Sequence, residues 1–418
     1  MHSKLAPRSS AVTVAAMLAG FGAGLAAVSI AHQPAGAVVL GVLIGMSLGR
    51  TQQTATSADR VAGLVVVPIV AAGAVALGHL VAGRLAVVGC AAFVVALSAT
   101  VWVRRFGPRA SRLGTLAATP LLSVLIVPAG PGAQTGPLAA GTLAAVVFVL
   151  VSLLHMVARR TGFHRPEPAR TRPVAKGSTS TKMAIQLGIA LAAACTIARI
   201  VVPTHWQWVV LTAFIVCSGN RGRGDVLHKG VLRVLGAAAG SLLATGLLAL
   251  VTPSGPACVA AILVALATGI MLRPISYAYW AGCVTAVMAL LADLSGVDPV
   301  PLLLTRLAAI LLGGALGIAA SWLILPIRSR QVAGRRIAEV RHALDTLHAA
   351  QPHQIADARR GVLGAIAQLD LIAPAFELQR RVHRLLPAHH RMTGQLPADT
   401  FDALRAASRN AIGNGESP

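Results

Sequence analysis

The residues that could do chemistry in this sequence are arginines and aromatic residues within apolar stretches. Arg199 and Arg306 each lie inside a long apolar segment, near the end expected to face the cell exterior. A planar guanidinium can bind a carboxylate through two parallel hydrogen bonds and can stack on aromatic rings. Trp206 and Trp208 follow Arg199 at the same level and offer an aromatic wall. The pattern predicts an anion site, and snorkelling of the arginine stems to the membrane interface is the alternative.

Other polar and aromatic residues extend this prediction. Tyr277, Tyr279 and Trp280 open a later apolar segment, and Gln186 lies inside an earlier one. An interfacial aromatic belt explains the aromatic residues equally well. The predicted substrate-binding set is Arg199, Arg306, Gln186, Trp206, Trp208, Tyr277 and Trp280.

Charged residues nearer the cell interior suggest how an anion reaches such a site. Arg221, Arg223 and Arg233 are predicted to attract it at the inner mouth. Asp293, at the outer end of an apolar segment, and His79 are the candidates for relaying protons. Acidic residues are missing from the middle of every apolar segment, so an anion could leave on the membrane potential alone, which contributes about 2.3 kcal/mol per 100 mV for each charge.

Catalytic and cofactor motifs are missing from the sequence. It contains no phosphate-binding glycine loop, no paired-histidine zinc helix and no serine elbow. The five cysteines all lie in apolar segments without metal-like spacing, which favours small packing residues. We therefore expect no enzyme activity, no cofactor and no metal site.

The composition indicates that these residues lie in membrane-spanning segments. Hydrophobic residues make up 56% of the 418 residues, charged residues make up 12%, and the mean hydropathy is +0.73. Continuous apolar runs rich in Ala, Leu, Val and Gly predict an all-α polytopic membrane protein with helical spans. Twelve spans are predicted, near 11–31, 35–49, 61–82, 85–103, 113–129, 138–158, 183–202, 206–218, 231–252, 256–272, 275–292 and 302–325.

The placement of basic residues predicts an orientation. With the N-terminus inside, the loops on the inner side carry nearly all the Lys and Arg of the membrane region, and the opposite loops carry only Arg84. Both termini are then cytoplasmic in a multi-pass protein of the cell membrane. The apolar run after Arg8 is expected to be a retained first helix. The net charge of +23 follows from this topology and from attraction to membrane lipids, so no nucleic-acid partner is expected.

The chain is predicted to divide into two six-helix halves and a tail. The halves are 1–158 and 183–325, joined by a basic, flexible linker at 159–182. A gapless alignment of VVLGVLIGMSLGR (38–50) with VVLTAFIVCSGNR (209–221) favours parallel repeats. Residues 326–418 predict a cytoplasmic helical tail, with apolar faces formed by Leu344, Leu347, Leu363, Ile366, Leu369 and Leu371.

Small residues four apart mark candidate helix contacts. Such glycine pairs allow close backbone approach in lipid, although each could also face the acyl chains. The pairs are Gly20 and Gly24, Gly41 and Gly45, Gly236 and Gly240, and Gly313 and Gly317.

Residues 183–327 resemble a known family. The residues that carry the resemblance are the Trp-led helix WQWVVLTAFIV, the basic loop after it, RVLGAAAG from Arg233 to Gly240, and the closing elements YWAGCVTAVMALL and RLAAILLGGALGIAASWLILP. This pattern is similar to the fusaric acid resistance and aromatic acid exporter group of bacterial inner-membrane proteins. Ala237 stands where that family commonly has Thr, so a hydroxyl role is not carried over. The resemblance implies export of small organic acids, aromatic acids among them, or of related toxic compounds.

Two functions from different classes follow. The first is potential-assisted efflux of a small organic anion, with membrane lipids as surroundings and a homo-oligomer left open. The second is a non-transporting membrane scaffold whose tail recruits partners or regulates envelope processes. Loss of function on changing Arg199 or Arg306 would favour the first, and loss on truncation after Pro326 would favour the second.

Overall fold

The regular elements in the part of the chain that the structure describes are helices, namely α-helices and two short 3₁₀ helices at Gln52–Thr54 and Val103–Phe106. The structure is a computed structural model that describes residues 6–126, 135–163, 177–218, 223–250, 255–294, 299–325, 329–351, 353–374, 376–377 and 398–413. Its helices before residue 326 are α1 (Ala6–Ser29), α2 (Gly36–Thr51), α3 (Ser57–Ala82), α4 (Ala86–Trp102), α5 (Pro108–Ser123), α6 (Pro137–Arg160), α7 (Gly177–Val201), α8 (Trp206–Cys217), α9 (Arg223–Leu250), α10 (Gly255–Leu272), α11 (Tyr277–Leu294) and α12 (Pro299–Leu323). After them come α13 (Ser329–His348), α14 (Ile355–Asp370) and α15 (Ala398–Gly413).

Each helix from α1 to α12 coincides with one predicted apolar span. Among the described residues, eight helices are long and apolar enough to cross a membrane, namely α1, α3, α4, α6, α7, α9, α10 and α12. Helices α8 and α11 are apolar but shorter. The all-helical, multi-pass character is therefore confirmed, and twelve crossings remain a prediction.

Local chemistry explains several helix starts. Thr56 and Asp59 form a capping box in which each side chain bonds the other residue's backbone N–H, so α3 begins at Ser57. Pro108 and Pro137 open α5 and α6, where a missing N–H costs nothing.

Two helices begin earlier than predicted. Helix α7 begins at Gly177, inside the segment predicted to be a flexible linker, whose residues 164–176 lie outside the described part. Helix α9 begins at Arg223, two turns before the predicted 231. Its first turns are held by an ion pair between Lys229 and Asp225, 2.7 Å apart at helical spacing. Both starts were missed because the first turns of these helices are polar, whereas the spans were predicted from runs of apolar residues.

The chain forms two compact units. One contains residues 1–218 and 231–320, and the other contains residues 219–230 and 321–418. The first predicted half and most of the second thus lie in the first unit, while 219–230 and 321–325 belong to the other, and the two-half arrangement remains a prediction.

Helices α1 and α2 pack backbone to backbone through their glycines. A Cβ added at Gly20 would lie 2.1 Å from the carbonyl oxygen of Gly41, and one at Gly45 would lie 2.4 Å from that of Ala16. A Cβ at Gly24 would lie 2.6 Å from the Cα of Val38. These glycines therefore lie at a helix contact, because any side chain there would force the helices apart.

The other glycine pairs also lie at helix contacts. A Cβ at Gly313 in α12 would lie 2.4 Å from the carbonyl oxygen of Val209 in α8, and Gly317 packs on Val216 and Cys217 one to two turns further along. Helices α8 and α12 therefore run in the same direction. In the same way, α9 packs on α11, where a Cβ at Gly236 or Gly240 would lie 2.3 or 2.2 Å from a carbonyl oxygen of α11.

The tail helices α13, α14 and α15 share an apolar core. Leu344, Leu347 and Leu369 are buried in it, and Ile366 packs against it. Two predicted members were wrong, because Leu363 is 43% exposed and Leu371 is 45% exposed. Leu363 lies off the buried stripe of α14, and Leu371 comes just after the helix ends.

Candidate functional site: a buried arginine pair beside a tryptophan

Arg306 is held against Trp208 where α8 and α12 are in contact. The glycine contact at Gly313 brings the two helices close, and Arg306 lies two turns before it in α12. The guanidinium carbon of Arg306 is 4.3 Å from the centroid of the Trp208 ring. Arg306 is only 7% exposed, and its Nη1 is buried with no hydrogen-bond partner among the described residues. The guanidinium therefore keeps an unused donor inside the protein.

His205 is a further member of this site that sequence reasoning missed. Its imidazole stacks on Trp208 with ring centroids 4.4 Å apart and planes 4° apart. The chain turns here, because the Trp208 N–H donates to the His205 carbonyl just before α8 becomes regular. Burial and the positive charge of Arg306 lower the pKa of His205 below its ordinary value. At neutral pH the imidazole is uncharged, so Arg306 remains the cation of the stack.

Arg233 adds a second buried cation. It lies in the third turn of α9, is 5% exposed, and lies close enough to Arg306 for the two charges to repel each other. Its Nε is buried without a hydrogen-bond partner in the described part of the chain. The sequence predicted Arg233 at the inner mouth because α9 was expected to begin at 231. Helix α9 begins at Arg223, so Arg233 lies inside the helix and its side chain is buried.

The arginine pair has no acidic counterpart in the described structure. Neither Arg233 nor Arg306 takes part in any of the ion pairs found among those residues. Taking one such ion out of water costs several kcal/mol in proteins, on the order of 20 kcal/mol in the idealised limit, unless an opposite charge offsets it. Two like charges buried together therefore create a site that favours an anion.

Thr212 brings a hydroxyl to the same contact. It lies one turn after Trp208 in α8, is 1% exposed, and faces Gly313, whose added Cβ would lie 2.9 Å from the Thr212 Cβ. Its Oγ1 is buried and has no hydrogen-bond partner among the described residues. A hydroxyl can donate to a carboxylate oxygen, so Thr212 is a second residue that the sequence did not single out.

Arg199 occupies a different environment from Arg306. Its Nη2 donates to the carbonyl oxygen of Val81 at 3.1 Å, and its guanidinium carbon lies 4.6 Å from the centroid of the Trp206 ring. Val81 lies in the last turn of α3, where unsatisfied carbonyls favour a cation. Arg199 thus caps α3 and connects it to α7 through Nη2, while its Nε is buried without a hydrogen-bond partner among the described residues.

The remaining predicted site residues are dispersed. Gln186 is buried in α7, thirteen residues and about 20 Å along the helix from Arg199. Tyr277 and Trp280 begin α11, where Trp280 contacts Arg50 and Arg273 rather than Arg306.

Of the predicted proton-relay and inner-mouth residues, only Arg233 is found at the arginine site within the described part of the chain. His79 lies in the last turn of α3 with an exposed side chain. Asp293 and Arg223 lie on α11 and α9, with side chains outside the described part, and Arg221 lies outside the described residues altogether. Among the residues that are described, no group of three or more His, Cys, Asp or Glu side chains could hold a metal ion.

The helices indicate the class of protein to which this chain belongs. Eight apolar helices of membrane-crossing length indicate a multi-pass membrane protein. Residues 190–320 match the model of the family described as fusaric acid resistance protein-like, which confirms the resemblance seen in the sequence. The matched range runs from α7 into α12 and includes Arg199, Trp208, Arg233 and Arg306. Neither a curated protein nor a solved structure matches the chain. Family match and apolar helices together suggest a membrane transporter.

Proposed function

We propose that this protein exports small organic acids, aromatic acids among them, across the cell membrane as anions. The supporting observation is the burial of Arg306 and Arg233 near each other with unused N–H donors and no ion-pair partner in the described structure. A carboxylate offers two oxygens to a guanidinium and supplies the missing negative charge.

In this proposal each residue near the bound carboxylate has one role. Arg306 binds the carboxylate, Arg233 strengthens the positive potential, and Thr212 donates a neutral hydrogen bond. Trp208 already has an imidazole and a guanidinium within 4.4 Å of its ring centroid. It therefore orients Arg306, and recognition depends mainly on the carboxylate. An aromatic ring in the substrate adds apolar contact but is not required.

The membrane potential supplies the driving force in this proposal. An interior-negative potential favours exit of a monoanion by about 2.3 kcal/mol per 100 mV. With both termini cytoplasmic, Arg221 and Arg223 collect the anion at the inner side and the arginine pair receives it.

Purified protein in liposomes tests this function. Release of radiolabelled benzoate is measured under a potassium diffusion potential with no pH gradient, for the natural protein and for Arg306→Gln and Arg233→Gln. Both variants should lose at least ten-fold in rate. The matched control is Arg105→Gln, because Arg105 also stacks on a tryptophan, 4.9 Å from the Trp102 ring centroid, but is exposed. Equal rates in all variants, or release that needs a pH gradient, would reject potential-driven export through this site.

The tail supports a second candidate, a membrane scaffold that recruits partners. Residues 321–418 belong to a separate compact unit with its own apolar core, and transport chemistry alone does not require such a unit. A chain truncated after Pro326 should still release benzoate if the protein is a transporter. A scaffold instead loses its cellular function with the tail and tolerates Arg306→Gln.

A further inference from the structure

Two arginines from distant parts of the chain share one indole ring. The guanidinium carbon of Arg50 lies 5.5 Å from the centroid of the Trp280 ring, and that of Arg273 lies 5.6 Å from the same centroid. Arg50 is in the last turn of α2, Arg273 follows the end of α10, and Trp280 is in the first turn of α11. This arginine–tryptophan cluster joins α2 to the α10–α11 hairpin.

Helix packing fixes the indole between the two arginines. Trp280 packs against an apolar cluster formed by α1, α2, α10 and α11, in which Leu266 and Val287 are buried. On another side, a Cβ added at Gly269 would lie 3.1 Å from the Trp280 ring. These contacts on two sides position the partly buried ring between the two guanidiniums.

The cluster carries two positive charges without an acidic partner. Neither Arg50 nor Arg273 belongs to any ion pair among the described residues. The Nη2 atom of Arg50 and the hydroxyl of Tyr277 are both buried without a hydrogen-bond partner in the described part of the chain. Two guanidiniums that flank one indole, that of Arg50 with a buried unused donor and that of exposed Arg273, can therefore both donate hydrogen bonds to one anion, and the Tyr277 hydroxyl lies one turn before the indole in α11.

The surroundings indicate an anion that carries apolar chains. Both arginines lie at helix ends, and α10 is long and apolar enough to cross a bilayer, so Arg273 at its end lies at the depth of the lipid headgroups. Large apolar side chains beside them are exposed, with Ile275 at 72% and Met271 at 41%. Apolar surface next to a cationic site at this depth suits acyl chains below a headgroup, whereas a small soluble acid would leave it uncovered.

We propose that the arginine–tryptophan cluster of Arg50, Arg273 and Trp280 binds the phosphate group of an anionic phospholipid. A phosphate presents several oxygens, so the two guanidiniums can each bind one while the Tyr277 hydroxyl donates to another. The bound lipid neutralises the two charges and fastens α2 to α10 and α11. This site is separate from the Arg306 site and does not depend on organic acid export.

Thermal unfolding of the full-length protein in mild detergent tests the proposal. The probes are phosphatidylglycerol, an uncharged glycolipid with the same acyl chains, and inorganic phosphate. Phosphatidylglycerol should raise the midpoint by several degrees more than the glycolipid in the natural protein. That difference should disappear in Arg50→Gln and Arg273→Gln, be partly restored in Arg50→Lys and Arg273→Lys, and be unchanged in Arg105→Gln.

Native mass spectrometry gives a second readout that does not depend on stability. The natural protein should retain one more phosphatidylglycerol molecule than the Arg50→Gln, Arg273→Gln double variant. An equal effect of inorganic phosphate would support a phosphate site but assign it to the free ion. Unchanged lipid retention in the double variant, or a midpoint that no phosphate-bearing probe raises, would overturn the proposal.

Discussion

The guanidinium of Arg306 lies over the Trp208 ring, with its carbon 4.3 Å from the ring centroid, while an Nη1 donor stays unused in the protein interior. Trp208 holds the cation through its π-face without neutralising it, because a cation–π contact contributes only about 0.5–2 kcal/mol. The arrangement keeps Arg306 oriented and available to an anion.

Because Arg306 is buried and unpaired, its replacement should raise the free energy of unfolding and at the same time weaken anion binding. Replacing Arg306 with Met removes a buried, unpaired charge, so the free energy of unfolding without ligand should rise by about 1–4 kcal/mol while benzoate binding is lost. Chemical denaturation in detergent and equilibrium binding measure the two effects. Arg199→Met is the comparison: it should lower stability by about 1–3 kcal/mol, because it removes the bond to the Val81 carbonyl. A loss of stability in Arg306→Met would contradict an unpaired cation.

His205 predicts how anion affinity depends on pH. Burial and Arg306 lower the pKa of this imidazole below 6.5, so in the empty protein its protonation disfavours the folded state as the pH falls below about 6.5. An anion on Arg306 offsets the repulsion and raises the pKa of His205, so binding takes up protons. Affinity for an acid that stays ionised should therefore increase as the pH falls from about 7.5 to about 5.5.

Binding measured across that pH range checks this expectation. His205→Asn should flatten the dependence, whereas His79→Asn, at an exposed histidine, should preserve it. A pH profile that is identical in His205→Asn and in the natural protein would exclude the coupling.

Neighbouring glycines in α12 offer a matched test of the α8–α12 contact. In Gly313→Ala the new methyl would lie 2.4 Å from the Val209 carbonyl oxygen, so the helices must separate, with an expected loss of about 1–3 kcal/mol. At Gly314 a Cβ meets nothing within 4 Å, so Gly314→Ala should be nearly neutral. The thermal unfolding midpoints of the two variants measure the difference. Transport should also fall in Gly313→Ala, because separation of the helices moves Arg306 relative to Trp208. Equal midpoints would show that the helices are not in backbone contact.

The tail core can be tested with two nearby leucines. Leu369 is fully buried and Leu371 is 45% exposed. Leu369→Ala should destabilise the tail by about 2–5 kcal/mol and expose it to protease, while Leu371→Ala should change little. Limited proteolysis of the reconstituted protein measures how far the tail is exposed. Benzoate release is measured on the same samples. Normal release by a chain with a digested tail would assign the tail a role outside transport.

Periodicity and charge predicted most of the helices, since apolar runs of sufficient length determine where a chain can cross lipid. They failed at α9, because Asp225 and Lys229 make a polar helix start resemble a loop. The structure buries Arg233 near Arg306, and its predicted place at the inner mouth stays a prediction.

Contacts between distant helices could not be predicted from one sequence. Arg306 and Trp208 were both singled out, but their pairing depends on Gly313 packing against α8. His205 carried a signal, since it precedes Trp208 by three residues, a spacing that brings two rings together in a turn. Arg199 was singled out for the same reasons as Arg306, and the structure distinguishes the two by the bond of Arg199 to the end of α3 and by the deeper burial of Arg306 near Arg233.

The backbone contact between α1 and α2 at their glycines restricts how these two helices can move. Carbonyl oxygens lie where side chains would otherwise keep the two backbones apart, so these helices cannot slide or rotate independently without losing that contact. In any rearrangement of the helices, α1 and α2 are therefore expected to move together as one rigid body.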